Sequence, residues 1–212
     1  MWRALRKQEN LGIIFSNDLS MEKHVSQLCK TVYFEIRRIR HLSVFLNETS
    51  LKTLVSSFIF SRLDYCNSLL MNSPDFLLDR LQRLQNQAAR LVLRRGRREH
   101  VTPMFLRLHW LPVRARIIYK VGVMCFKCID GTAPPYLSDL VDLYDPPRAL
   151  RSGGRYLLRT PRRGSRRLSD RPFVHFAPSV WNSLPLSLRS MSGEPAFKSN
   201  LKTFLFQSYL LE

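Results

Sequence analysis

The residues from Leu11 to Phe15 read Leu-Gly-Ile-Ile-Phe and run into a Ser-Asn-Asp turn, which predicts a short strand. Nothing nearby in the sequence offers that strand a partner. From Met21 the period becomes helical, with Val25, Leu28, Cys29, Val32, Ile36 and Ile39 on one face. Ser20 stands at the N-cap position, but Lys23 sits where a capping box places Glu, so the cap is half made. A second helix follows Asn47, carries Leu51, Leu54, Val55, Phe58 and Ile59 on one face, and continues to Leu70. Pro74 suits the first turn of a third helix. That helix shows the stripe Leu77, Leu81, Leu84, Ala88, Leu91 and Val92, with Arg80, Arg83, Arg90, Arg94 and Arg95 at other positions. Gly96 is its predicted stop. Three helices joined by short turns make a small bundle.

Beyond it, Thr102 is the expected cap of a fourth helix, with Pro103 at its first position and Pro112 breaking the run after Leu108–Leu111. A fifth carries Ile117, Ile118, Val121, Met124, Cys125 and Cys128 and stops at Gly131, and "APPYLSDLVDLY" begins a shorter one. After Pro146 the composition shifts. Nine arginines and one acid, Asp170, lie between Arg148 and Arg171. The stretch "RYLLRTPRRGSRRLSDRPFVHF" reads as two short strands around a basic turn, with a disordered arm as the alternative. Two helical turns around Trp181 and Pro185 and a closing amphipathic helix complete the chain. The fold class predicted is mainly α, a three-helix bundle plus a helical C-terminal region with a small β-hairpin.

Charge changes the picture from fold to partner. The 212 residues carry 34 Lys and Arg against 16 Asp and Glu, a net +18. So large an excess opposes compaction unless a polyanion neutralises it, and for an intracellular protein that polyanion is commonly nucleic acid. Arginine outnumbers lysine, which fits phosphate forks and base stacking. An arginine-rich codon bias is the bland alternative. No apolar stretch has the length of a signal peptide or of a membrane span, so the expectation is a soluble protein of the nucleus or cytoplasm, with no membrane and no small-molecule substrate as partner.

Catalytic chemistry is sparse. Asp139, Asp142 and Asp145 fall at spacings of three, as a metal-binding face or as a solvated helix face. Cys125 and Cys128 form a C-x2-C inside an apolar helix, and zinc would need two further ligands, for which His100 and His109 are the nearest candidates. Two core thiols are the simpler reading, and no cofactor is expected. Trp110, in "LHWLPVRARIIYK", is either a base-stacking platform or a packed hinge pin. Its spacing with Phe105, Leu106 and Leu111 favours the pin.

Eight stretches occur in an order that resembles one family. They are "LGIIFSNDLSMEKHVSQLCK", "SRLDYCNSLL", "LQRLQNQAARLVL", "HVTPMFLRLHWLPVRARIIYK", "GTAPPYL", "RALRS", "FAPSVWNSLP" and "FKSNLKTFLF". The chain resembles the C-terminal part of the polyprotein of jockey-like non-LTR (LINE-type) retrotransposons. The resemblance implies that residues 1–20 hold a lead-in and the last palm strand, and that 21–98 form a thumb-like helical bundle. The residue pattern makes 99–145 a bent helical pair with a short helix and 146–212 a basic hairpin with C-terminal helices, and the resemblance implies that both belong to the family's C-terminal region. The family's aromatic-x-Asp-Asp motif and its endonuclease lie upstream of the "LG" strand, so the expectation is a truncated reverse transcriptase fragment that is no enzyme by itself.

On this reading the chain binds RNA or DNA backbone without sequence preference. Arg90, Arg94, Arg95, Arg97, Arg98, Arg114 and Arg116 are expected along a duplex, and Arg162, Arg163, Arg166 and Arg167 at a second contact. An intact element's polymerase is a further expected partner. The rival readings are a translated relic or protein-interaction module with an unused basic surface, and a piece of a working RNA-directed DNA polymerase.

Overall fold

The computed structural model describes residues 8–15, 20–144, 156–161 and 173–211, which divide into two compact units, Met1–Arg114 and Ala115–Glu212. The fold is mainly α-helical. The first unit opens on a hairpin in which β1 (Gln8–Asn10) pairs antiparallel with β2 (Ile13–Phe15). The strand expected to lack a partner therefore finds one immediately upstream. Its turn puts Leu11 at φ 49° and Gly12 at φ 77°. Both central residues of such a tight hairpin turn are left-handed. Leucine gives little sign of that conformation, which is why the turn was not legible.

Helix α1 (Glu22–Leu42) buries Val25, Val32, Ile36 and Ile39 against α4 (Asp75–Val92), which buries Leu77, Leu81, Leu84, Ala88, Leu91 and Val92. These are the predicted stripes, except that Leu28 and Cys29 on α1 are only half-buried. The cap position of α1 is Met21 without a side-chain bond, not Ser20. Helix α2 (Glu48–Val55) is capped as expected, Asn47 Oδ1 accepting the Ser50 N–H at 2.8 Å. It runs into a π-helical turn, Ser56–Phe60, and then α3 (Ser61–Asp64). The wider turn shifts the phase of the apolar face. Ile59, Phe60 and Leu63 point inward while Phe58 is 43% exposed, so Phe58 does not join the face it was expected to share.

The end of α4 also differs from expectation. The helix stops at Val92, and the left-handed residue after it is Arg94, at φ 52°, rather than Gly96. Helix α5 (Thr102–Leu108) takes Thr102 as its first residue, with Val101 at the cap and no side-chain cap bond. The chain then reverses through left-handed His109 and buries Trp110. The Trp110 ring stands edge-on to Phe60, centroids 4.5 Å apart, and to Phe105 at 6.4 Å. With 5% of its surface exposed it offers no face to a base. The Pro112 bend is held from α4, where Gln85 Nε2 donates to the Leu111 carbonyl and Gln82 Oε1 accepts the Val113 N–H, each at 2.8 Å. These two glutamines supply the partners that a proline-broken backbone lacks.

The boundary between the units falls at the start of α6 (Val113–Ile129), so the first unit runs past residue 98 to include α5 and the Pro112 bend. The second unit contains most of α6 together with α7 (Pro135–Ser138), α8 (Phe173–Ser183), α9 (Leu186–Arg189) and α10 (Glu194–Leu210). Its core stacks Phe126 on Phe197 at 4.5 Å, with Trp181 5.7 Å from Phe197. Gly122 lets α10 approach, since a Cβ there would meet Leu201 Cδ2 at 2.9 Å.

The basic β-hairpin is corrected in its second half. Phe173, Phe176, Ala177, Val180 and Trp181 are buried at helical spacing, so "FVHF" starts α8 instead of forming a strand. The first half is extended only as far as an isolated antiparallel bridge, Leu143 to Leu158. Asn182 holds it by accepting the Leu158 N–H at 2.8 Å and donating to the Leu158 carbonyl at 2.9 Å, as a neighbouring strand would. Trp181 Nε1 donates to the Tyr156 carbonyl at 2.6 Å. The predicted basic turn lies outside the described residues.

Candidate nucleic-acid interface

On α1, Tyr33 and Arg40 are seven residues apart and share a face, and on α4 Arg83, Gln87 and Arg90 do the same at intervals of four and three. Packing α1 against α4 brings these faces together. The result is a groove of about 790 Å³, continued by the residues that follow α4. Tyr33, Arg40, Ser43, Arg83, Asn86, Gln87, Arg90, Leu91, Arg94, Arg95 and Arg97 line it, six arginines and no acid.

Three of these arginines are oriented by neighbours. Arg94 Nη2 donates to the Ser43 carbonyl at 3.0 Å and to the Leu46 carbonyl at 2.6 Å, which ties the α1–α2 connection to the end of α4. Arg90 Nη2 donates to the Glu99 carbonyl at 3.1 Å, while its buried Nε has no hydrogen-bond partner. Arg95 lies 3.5 Å from the Glu99 carboxylate, whose other oxygen accepts the Gly96 N–H at 2.7 Å. A carbonyl accepts a hydrogen bond without cancelling charge, so Arg90 and Arg94 keep their full positive charge. Among the described residues, no acid pairs with Arg40, Arg83 or Arg97. Guanidinium groups gathered this way repel one another until an anion enters.

Of the predicted site residues, Arg90, Arg94, Arg95 and Arg97 meet in this groove, and Arg98 follows exposed in the same run, outside the lining. Arg114 does not join them. It forms an ion pair with Asp75 at the opposite end of α4, about 22 Å along the helix from Arg90. Arg107, next to Trp110, pairs with Glu48 at 2.6 Å. Arg116 is half-buried in α6, in the second unit. Arg162, Arg163, Arg166 and Arg167 lie outside the described residues.

No protein-family model, curated protein or solved structure matches the chain.

Sequence reasoning missed Tyr33, Arg40 and Arg83 as members of the site. The signal was present as helical spacing on two separate helices, but only their packing joins it to the run at 90–97.

The remaining candidates are thiols and carboxylates. Burial pushes the Cys125 thiol far up, with the neighbouring Cys128 adding to it, and burial also raises Cys128. Their sulfurs lie 3.6 Å from the Ala177 carbonyl and 3.7 Å from that of Leu137. Protonated, apolar-packed thiols are poor metal ligands and poor nucleophiles. Among the described residues no group of three His, Cys, Asp or Glu side chains is placed to share a metal ion, and no helix is long and apolar enough to cross a membrane. Of the three spaced aspartates, Asp139 and Asp142 are exposed and Asp145 lies outside the described residues.

Proposed function

We propose that the chain binds RNA or DNA through phosphate contacts in the groove between α1 and α4, as a retrotransposon-derived, thumb-like module with no polymerase activity of its own. The observation that carries this reading is the six-arginine lining without a single acid. Guanidinium forks match phosphate oxygens bidentately, and phosphate contacts hold a backbone in register without reading its sequence. The net charge of +18 adds long-range attraction for the same partner. Nucleus or cytoplasm is the compartment that goes with it, and an intact element's polymerase is a further proposed partner.

Titration with an RNA strand and with an RNA–DNA duplex, each at two salt concentrations, tests the reading. Binding of either at low salt that weakens steeply as salt rises supports it, and absence of binding by both at low salt refutes it. Primer extension with dNTPs and Mg²⁺ tests the enzymatic side, with no product expected, since the 212 residues contain no Asp-Asp pair.

One observation favours a second reading, a protein-interaction module. Leu42, Val44 and Phe45 stand exposed around the 3₁₀ turn Ser43–Phe45, and adjacent exposed apolar side chains are a common mark of interaction surfaces.

A further inference from the structure

We infer that the groove is built for a short single strand, with Tyr33 as the platform for one unpaired base. This rests on the phosphate-binding reading above and narrows it. Three observations point the same way.

The first is size. A half-open recess of about 790 Å³ has the volume, roughly 300–1,000 Å³, of clefts that take a drug-sized molecule. Its walls are two directly packed helices, whose axes lie about 8–10 Å apart in such packing. A duplex can rest across such a recess but cannot enter it.

The second is Tyr33. Tyr33 is 49% exposed as a residue although it lines the groove, and among the described residues its hydroxyl has no hydrogen-bond partner. An aromatic face among arginines binds bases by stacking whatever their identity. In a duplex every base face is already covered by its neighbours, so only an unstacked base can use Tyr33.

The third is the pair of amides beside it. Asn86 Oδ1 accepts from Gln82 Nε2 at 2.8 Å, which leaves the Asn86 amide N–H groups as donors. Gln87 makes no side-chain hydrogen bond among the described residues. Amides of this kind pair with exposed base edges, which a duplex conceals on the Watson–Crick side. Phosphates alone would need only the arginines and would leave Tyr33, Asn86 and Gln87 idle.

The test uses the full chain, a labelled RNA strand without secondary structure, and the RNA–DNA duplex made from that strand, with binding read by fluorescence anisotropy at low salt. The strand is expected to bind more tightly than the duplex. Tyr33→Ala is expected to weaken the strand about ten-fold or more and to leave the duplex unchanged, while Tyr33→Phe keeps strand affinity. Tyr33 is half exposed, and thermal melting of both variants checks that they fold. A duplex bound as tightly as the strand, or a Tyr33→Ala loss that is nil or equal on both ligands, overturns the single-strand inference and leaves phosphate binding standing. If neither the strand nor the duplex binds, the phosphate-binding reading and the single-strand inference both fall.

Discussion

Arg94 sits in the left-handed region where helices ordinarily place glycine, a conformation that disfavours any residue with a Cβ by about 1–2 kcal/mol. Its two hydrogen bonds to Ser43 and Leu46 carbonyls hold it there. Arg94→Gly relieves the backbone but loses the ties, so its urea midpoint should stay near that of the parent. Arg94→Ala loses the ties and keeps the strain, and should fall about 1 kcal/mol below the glycine variant. Both should bind nucleic acid more weakly, because both remove a groove charge. His24 gives a pH signature. Burial holds its imidazole less basic than in an unfolded chain, where it titrates near 6.5. The unfolded state therefore binds more protons, and the stability of the neutral form, present above about pH 6.5, is lost as pH falls below it. Urea midpoints at pH 7 and 5.5 should show the drop, and His24→Gln should flatten it. Glu194, held low by hydrogen bonds from Lys198 and Lys127, adds a loss in the same direction through the carboxylate range.

Regular helices were legible where the apolar period runs unbroken, and illegible where local geometry changes its phase. The stripes of α1 and α4 needed only spacing, since each spans several turns and buries one face. Phe58 was misplaced because a π-helical turn adds a residue that no residue type announces. The second strand of the basic hairpin was misread because Phe173 and Phe176 suit a strand as well as a helix, and only Ala177, Val180 and Trp181 extend the helical period. Polar residues inside apolar stripes carried information that went unread. Gln85 is fully buried in α4 and exists to hold the Leu111 carbonyl at the Pro112 bend. Asn182 plays the matching part in the second unit by clamping both polar groups of Leu158. Asn182→Ala should leave that buried backbone without partners, at about 1–3 kcal/mol. Amide hydrogen exchange at Leu158 should then rise well above that of the α8 core, and equal protection in both chains would show that the clamp does not hold the segment.

The molecule as a whole carries +18, yet the candidate site depends on where that charge converges. Clustering along the chain made Arg90, Arg94, Arg95 and Arg97 visible in the sequence. Tyr33, Arg40 and Arg83 became part of the site only through the packing of α1 on α4, a tertiary fact that local patterns do not contain. Arg114 stands apart from the group, paired with Asp75 at the start of α4. The measurement that tests the central claim most directly is the salt dependence of nucleic-acid affinity for the parent chain and for Arg40→Gln/Arg83→Gln/Arg97→Gln, three exposed groove positions that pair with no acid among the described residues. If these arginines neutralise phosphates, log affinity falls linearly with log salt, and the variant's slope is shallower by roughly 2 on a single strand. An unchanged slope, or a parent affinity that ignores salt, would contradict the account.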